Sequence, residues 1–372
     1  MDFADTGEQA LLRESVRRFA AQRHPFQGGR KATAREGYWR EVAANGWTAV
    51  GLAEEAGGAG LLPVELAIIQ EEFGRGLVVE PFVSSILLGA RAIALIGDAS
   101  RRAAIADAIS GETILAFAHE EAATRGAIAQ VATSAERTRQ GWRINGDKIC
   151  VHGAGLASQL LVTARTSGPV GDRAGLSLFR IPRAAKGIES DEYRTIDGFD
   201  AADLSFRDCL APAAALIGRE GEAAEAIEDV VDLAVVALCA EAVGSMERAL
   251  HLTRDYASLR RQFGAPISSF QAIQHRLADM AAELELGRSS LHRALAARFA
   301  DDRVKQSRAA SGCKALVGKA GRFVCENAIQ IHGGVGMADE LEVGHHYRRV
   351  LAIDAMFGNR EFHLERFASL GG

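Results

Sequence analysis

Hydrophobic positions divide the chain into three blocks with different periodicity. From Asp5 to about Gly111, apolar residues recur at the three- and four-residue spacing of one helical face, as in Leu11, Leu12, Val16 and Phe19. Glycines cluster between Gly51 and Gly60 and mark a turn-rich connection. The first block is therefore predicted to be helical, with further helices at Gly37–Asn45, Pro63–Gly74, Val83–Ile96 and Ser100–Ile109.

The second block, from Thr113 to about Gly218, contains short β-like runs separated by turn residues. Asn145-Gly146 lies between two of these runs and predicts a hairpin there. No segment between the runs is long enough for the helix that links parallel strands, so we expect an antiparallel β domain. The predicted strands are Thr113–Ala118, Trp142–Ile144, Lys148–Val151, Leu160–Ala164, Leu176–Ile181 and Leu204–Phe206.

From Gly221 onward the helical period returns, in long, alanine-rich, amphipathic segments at Glu222–Arg260, Ser269–Ala300 and Val304–Gly333. The predicted fold is α+β and multidomain. It comprises an N-terminal α-helical domain (1–112), a middle antiparallel β-barrel-like domain (113–218) and a C-terminal four-helix bundle (219–372).

Composition narrows the class of protein. A net charge of -5 over 372 residues argues against a protein that holds nucleic acid by bulk charge. The five cysteines are scattered without a C-x-x-C pair, which favours a reducing compartment over a disulfide framework or zinc site. Because the longest apolar run, Leu233–Ala240, is too short to span a bilayer, we expect a cytoplasmic protein without a membrane partner.

Two motifs suggest an anionic ligand. In the first, Arg260 ends a predicted helix just before the turn Phe263-Gly264-Ala-Pro266, and its planar guanidinium suits phosphate oxygens. The second, Gln330-Ile-His-Gly333-Gly334-Val-Gly336, would let a ligand approach the backbone. Each motif alone is also what an ordinary helix end or helix cap shows.

Together, and with the α–β–α order, the two motifs resemble the acyl-CoA dehydrogenase family of flavoproteins. The resemblance spans nearly the whole chain. Within the family, the segment Glu71–Arg75 resembles small subunits of two-component dehydrogenases such as pimeloyl-CoA dehydrogenase. Further matching segments are Asn45-Gly46-Trp47, Gly57-Gly58-Ala-Gly60, Gly141–Lys148 and Leu216–Gly221.

The resemblance implies an FAD-dependent enzyme that converts an acyl-CoA to the trans-2-enoyl-CoA. A carboxylate removes the α-proton, the β-hydrogen leaves as hydride to the flavin, and an electron-transferring flavoprotein accepts the electrons. The protein's part is orientation, proton removal and stabilisation of the developing charge. The resemblance also implies a dimer or tetramer, which in this family can include a homologous larger subunit.

The resemblance further implies residue roles. Arg260 would reach the FAD diphosphate of a neighbouring subunit, with Phe263 packed beside that FAD and Gln271 in contact with it. Gln330, Gly333 and Gly334 would follow its adenosine end, and Asn359 replaces a threonine that contacts the diphosphate in many relatives. No metal site is expected, because the adjacent His345 and His346 point about 100° apart on a helix and have no acidic or thiol partner at ligand spacing.

The chain departs from the family pattern around the flavin ring. Phe357 occupies the position at which many relatives carry the base as glutamate, and it cannot accept a proton. His119-Glu120-Glu121-Ala122 replaces the Thr-Glu-Pro pattern, and Cys150-Val151-His152 replaces Trp-Ile-Thr beside the ring. His152 could still donate a hydrogen bond to the flavin.

Glu241 is the candidate catalytic base. Some relatives carry a glutamate on this helix at the position of Ala234, and Glu241 follows seven residues later, about two turns along nearly the same face. It interrupts a long apolar stretch, where an unpaired carboxylate is costly unless it is functional. The matching helix of two-component steroid acyl-CoA dehydrogenases carries a base glutamate. The structural alternative is an ion pair between Glu241 and an arginine at a subunit contact.

Three functions therefore stay open at this point. The chain is a catalytic acyl-CoA dehydrogenase subunit with Glu241 as base, or a non-catalytic subunit that completes the FAD site of a partner chain, or a flavin oxidase or monooxygenase on the same fold. The acyl group, whether fatty, dicarboxylic or steroid side chain, is also open.

Overall fold

The computed structural model describes residues 4–26, 36–60, 62–97 and 101–371. The chain forms two compact units. The first comprises Met1–Ala32, Pro63–Val79 and Val235–Gly372, and the second comprises Thr33–Leu62 and Glu80–Ala234.

The N-terminal block is helical, as predicted. The α1 helix begins with a capping box in which the Thr6 side chain accepts the Gln9 N–H and the Gln9 side chain accepts the Thr6 N–H. The single helix predicted for Val83–Ile96 is two segments, a π-helix at Val83–Ala90 and the α-helix Arg91–Ile96 that continues it. Ser100, the predicted start of the next helix, lies outside the described residues. The α-helices are α1 (Gly7–Arg23), α2 (Glu36–Ala44), α3 (Pro63–Arg75), α4 (Arg91–Ile96) and α5 (Arg102–Ile109).

The strands of the middle block are β1 (Leu115–Ala118), β2 (Ser134–Thr138), β3 (Gly141–His152), β4 (Gln159–Arg165), β5 (Leu176–Pro182), β6 (Ile188–Arg194), β7 (Asp200–Pro212) and β8 (Leu216–Ile217). They form a sheet with strand order β6-β7-β3-β2-β4-β5-β8, and β1 also pairs with β4.

The predicted antiparallel pairing holds for most of the sheet, and it is wrong for two pairs of strands. β1 runs parallel to β4 over four residues, and β2 meets β4 in parallel where Ser134 pairs with Arg165. The parallel pairing needs no crossover helix, because the chain between β1 and β4 passes through β2 and β3 instead.

The predicted hairpin at Asn145-Gly146 is also wrong. Both residues lie within the continuous strand β3, and the tight turn is earlier, where Thr138 pairs with Gly141. The pairing of β3 with β7 shifts register between Ile144 and Gly146. Gly146 has φ 145°, and a Cβ there would lie 2.5 Å from the Thr133 hydroxyl oxygen. The glycine therefore serves a bulge and a close approach rather than a turn.

The C-terminal block contains five helices: α6 (Ala224–Leu259), α7 (Gln271–Ala297), α8 (Arg303–His332), α9 (Glu342–Ala355) and α10 (Arg360–Ser369). Helix α8 packs against α7, α9 and α10. A two-stranded ribbon, β9 (Arg261–Gln262) and β10 (Ala265–Pro266), links α6 to α7. The α–β–α architecture is confirmed, with α9 and α10 added to the long helices of the predicted bundle. The boundaries at 112 and 218 stay predictions.

Helices α3 and α6 of the first unit cross at two glycines. A Cβ on Gly74 would lie 1.9 Å from the Glu241 carbonyl oxygen, and a Cβ on Gly244 would lie 1.9 Å from the Glu71 carbonyl oxygen. The Ser245 hydroxyl also donates to the Gly74 carbonyl at 3.0 Å. The two backbones are therefore in direct contact, with no room for a side chain at either glycine.

We expect Gly74→Ala to lower the free energy of unfolding by about 3 kcal/mol or more, because a methyl group would collide with a backbone carbonyl that cannot rotate away. Gly287→Ala is the matched control: it is another buried helical glycine, but its added Cβ would lie 3.4 Å from the flexible end of Met246. That variant should be neutral or gain up to about 1 kcal/mol. Urea unfolding of both variants provides the measurement, and equal stabilities would contradict the crossing.

Candidate functional site

Arg260 and Phe263 lie on an exposed connection in the first unit. Arg260 directly follows α6 and is solvent-exposed; among the described residues, no side-chain hydrogen bond or ion pair engages its guanidinium. Phe263 and Gly264 form the turn of the ribbon, with φ values of 53° and 81°. The Phe263 side chain is 93% exposed and forms an edge-on pair with the Phe270 ring, at 6.2 Å between centroids. A strained turn thus presents an aromatic ring to the outside of the chain.

The end of helix α8 forms an open backbone surface. Gly333 ends the helix with φ 69°, and a Cβ on Gly333 or Gly334 would meet no atom within 4 Å. The preceding His332 stacks on Tyr256 at 4.3 Å between centroids, which ties this segment to α6. Gln330 is exposed on the last turn of α8. The glycine backbone is therefore accessible to a flat or extended ligand.

Gln271 and Asn359 lie at helix starts. Gln271 is the exposed first residue of α7. Asn359 caps α10, and its side-chain oxygen accepts the Phe362 N–H at 3.0 Å. A helix start offers unpaired N–H groups and a positive dipole end, both of which suit phosphate.

Phe357 is buried beyond the end of α9 with φ 56°. Its carbonyl oxygen lies 3.1 Å from His363 Nε2, and the following Gly358 carbonyl accepts from Lys314 at 3.0 Å. Lys314 also donates to the Asp354 carbonyl at 2.9 Å. The turn is held firmly, but it offers no side chain that can take a proton.

Glu241 lies inside the first unit as one half of a buried ion pair. Arg349 of α9 donates to both carboxylate oxygens, from Nε at 2.6 Å and from Nη2 at 2.8 Å, and both residues are 3% exposed. An arginine partner is what the structural alternative predicted, but it belongs to the same chain rather than to a subunit contact. Arg349 thus occupies one acceptor site on each carboxylate oxygen and fixes the orientation of the carboxylate.

A larger ion network on the same unit was missed by the sequence analysis. The side chain of Glu72 is fully buried and pairs with Arg13, Arg17 and Arg75 at 2.8–3.2 Å. Its neighbour Glu71 pairs with Arg13 at 2.8 Å. The available signal was the run of buried positions from Leu66 to Gly74, in which any carboxylate requires partners.

The second unit contains a buried lysine in the β domain. Lys148 donates to a Glu121 oxygen at 2.8 Å, to the Thr163 hydroxyl at 3.0 Å and to the His119 carbonyl at 3.1 Å. Burial lowers the pKa of Lys148 to about 8 and, with the charge of Lys148 nearby, that of His119 to about 3. His119 is therefore neutral, and its Nδ1 lies 3.0 Å from the Thr163 hydroxyl.

Cys150 and His152 lie at an irregularity of strand β3, where its register with β7 shifts between Lys148 and Val151. Cys150 has φ 49°, and its N–H donates to Asp203 Oδ1 at 2.8 Å; the same oxygen accepts from the Tyr193 hydroxyl at 2.7 Å. The Cys150 thiol lies 3.6 Å from His152 Nε2. Burial raises the pKa of this thiol, so Cys150 is not an activated nucleophile.

The histidine pair on α9 has structural contacts. His346 is buried, with Nε2 3.3 Å from a Glu342 oxygen, and Glu342 accepts from Arg248 at 2.9 Å through both oxygens. Within the described part of the chain, no group of three or more His, Cys, Asp or Glu side chains is arranged to hold a metal ion. No helix among the described residues is long and apolar enough to cross a membrane.

Comparison with known proteins identifies the family. Family models match three consecutive segments: the acyl-CoA dehydrogenase N-terminal domain over residues 6–113, the middle domain over 116–209 and the C-terminal domain over 224–369. The short-chain specific acyl-CoA dehydrogenase of Homo sapiens is 30% identical over 87% of this chain and 79% of its own length.

Two further relatives match nearly end to end. The acryloyl-CoA reductase (NADH) of Anaerotignum propionicum is 29% identical over 98% of this chain and 94% of its own length. A solved variant of the Tcur3481-Tcur3483 steroid ACAD is 28% identical, with a TM-score of 0.86 over 98% of this chain and 97% of that one. The three matched segments and these relatives show that the chain belongs to the acyl-CoA dehydrogenase family of FAD-dependent oxidoreductases.

Proposed function

We propose that this chain is a subunit of an oligomeric acyl-CoA dehydrogenase that uses FAD to convert an acyl-CoA thioester to its trans-2-enoyl-CoA. The observation that carries this assignment is the exposed, unpaired Arg260 on the same unit as the open Gly333-Gly334 backbone. An unpaired guanidinium and an uncovered backbone suit a dinucleotide diphosphate that approaches from outside the chain.

The residues fit FAD as follows. Arg260 would reach the diphosphate of a neighbouring subunit's FAD, and Phe263 would pack beside that cofactor. Asn359, at the start of α10, would contact an FAD diphosphate. Gln330, Gly333 and Gly334 would line its adenosine end, with Gln271 as a further contact. When bound, the flavin supplies the hydride acceptor. In the second unit, His152 would donate a hydrogen bond toward the flavin ring.

Glu241 stays our candidate for the carboxylate that takes the α-proton. Its support is the sequence: a lone carboxylate on the helix that carries the base in some relatives. The ion pair with Arg349 keeps the carboxylate in one orientation and leaves each oxygen a second acceptor site.

A second candidate function has a specific observation in its favour. Phe357 cannot act as base, and Glu241 is fully engaged by Arg349, while Arg260 and Phe263 remain available on the surface. This combination also suits a subunit that completes the FAD site of a partner chain and leaves proton removal to that chain. A homologous larger subunit would be the partner, as the paired name of the Tcur3481-Tcur3483 relative suggests.

We further infer an electron-transferring flavoprotein as the electron acceptor and a cytoplasmic location. The location is supported by five free cysteines, of which four are buried and none is paired with another in a disulfide.

Arg260→Ala should lower FAD occupancy of the purified protein, because a bidentate contact to the diphosphate is lost. Arg260→Lys should restore it only partly, since an ammonium lacks the planar fork. The measurement is the ratio of flavin to protein absorbance. Arg254→Ala, on the same helix and paired only with Asp255, is the control and should keep parental occupancy. Parental occupancy in both Arg260 variants would show that its assigned role is wrong.

Glu241→Gln should slow flavin reduction by acyl-CoA about 10²–10⁴-fold if Glu241 is the base. The same change removes the Glu241 anion from the buried Arg349 guanidinium, so it should also cost about 3–5 kcal/mol of stability. The double variant Glu241→Gln, Arg349→Gln removes the guanidinium together with the carboxylate and should recover stability without recovering the rate. Stopped-flow bleaching and urea unfolding measure the two effects separately. If the double variant reduces flavin at the parental rate, the ion pair has a structural role and the base lies on the partner chain.

Light scattering at micromolar concentration should show a dimer or a larger assembly. The exposed Phe263, Leu259 and Met337, which are 93%, 81% and 69% exposed, need apolar partners that the chain itself does not supply. A monodisperse monomer, both alone and with its larger homologue, would contradict the proposed assembly.

A further inference from the structure

Glu120 is a partly buried acid of the β domain whose carboxyl group the mechanism above does not use. It lies two residues beyond the end of β1, and its carbonyl accepts the Ile149 N–H of β3 at 2.9 Å, which fixes its backbone beside the irregular part of that strand. The residue is partly buried. Among the described residues, no donor or cation makes a hydrogen bond or ion pair with its carboxyl oxygens. This contrasts with Glu121, whose oxygens accept from Lys148 and from the Ala132 and Thr133 N–H groups.

The charged groups around Glu120 do not neutralise it. On β3, the Lys148 ammonium is bound to Glu121, and the Cys150 thiol stays protonated. On its own segment, His119 is neutral and Glu121 is an anion. Burial raises the pKa of Glu120 to about 7, with Lys148 opposing the shift and Glu121 adding to it. A carboxyl that changes charge near neutral pH thus lies beside a strained cysteine and a break in strand register, a combination typical of functional sites.

We propose that Glu120 takes up a proton when a flavin bound beside Cys150 and His152 of the same unit is reduced. The inference rests on the proposed function and extends it. Hydride transfer gives the bound flavin two electrons and one proton, hence one additional negative charge. That charge favours the neutral form of a nearby carboxyl, so Glu120 binds one proton from solvent and the local charge stays constant. No bond other than the O–H bond of Glu120 forms in this step.

The test is the pH dependence of the flavin midpoint potential in the FAD-loaded protein, assembled with its partner subunit where loading requires it. A two-electron couple shifts by about 30 mV per pH unit for each proton taken up. Below pH about 7, Glu120 is protonated in both redox states and adds nothing. Above it, only the reduced state holds the extra proton, so the slope should increase by about 30 mV per pH unit.

Glu120→Gln should remove that increase, because an amide cannot take up the proton. Glu136→Gln, an exposed glutamate on β2 of the same sheet, is the matched control and should keep it. If the parent and Glu120→Gln show the same slope across pH 6–9, the proposal is overturned.

A second measurement does not depend on the cofactor. In the apoprotein labelled with ¹³C at glutamate carboxyls, one resonance should titrate near pH 7 and should be absent from Glu120→Gln. Titration of Glu120 near the ordinary glutamate value of about 4.3 would overturn the proposal even if the potentials were unchanged. Protein that binds no flavin, alone or with its partner, would instead reject the proposed function itself, and the visible spectrum shows this before any potential is measured.

Discussion

The direct crossing of α3 and α6 at Gly74 and Gly244 is the constraint on which the first unit depends. With no side chain at either position, each glycine leaves room for a carbonyl of the opposite helix, that of Glu241 or Glu71. Backbones this close bury the residues on both sides of the crossing, whatever their chemistry. Three carboxylates, Glu71, Glu72 and Glu241, are consequently buried with the crossing.

Buried carboxylates are tolerated only when paired, and the chain supplies an arginine for each. Glu72 takes three, from α1 and α3, and Glu241 takes Arg349 from α9. Removing one partner of such a pair leaves a charge in a low-dielectric interior, which costs far more than the intact pair contributes. The arginines therefore tie α1 and α9 to the crossing, and the helix ends that carry Arg260 and Gly333 belong to the same compact unit.

This packing also explains what the sequence predicted well and what it did not. The long helices end within three residues of their predicted limits, because apolar periodicity and the Gly and Pro turns that follow them are local signals. The strand β6 was missed because Ile188–Arg194 is an exposed polar edge strand without alternation. The Asn145-Gly146 pattern was misinterpreted because its glycine is required by the close approach of Thr133. Thr133 is too far away in the sequence for a local motif to indicate that contact. Glu241 was ambiguous for the same reason. A lone carboxylate in an apolar helix gives the same sequence pattern whether its partner is a substrate or Arg349.

Backbone strain distinguishes a few positions of the chain from the buried ion pairs of the interior. Six non-glycine residues among those described have positive φ, and three of them, Cys150, Phe263 and Phe357, fall on segments at which the chain resembles or departs from its family's flavin contacts. Strain at a bulky residue persists only where the surroundings enforce it. At Phe357 the enforcing contacts are visible in Lys314 and His363. Each strained turn therefore depends on the packing around it, and a substitution in that packing would alter the turn as well as the interior.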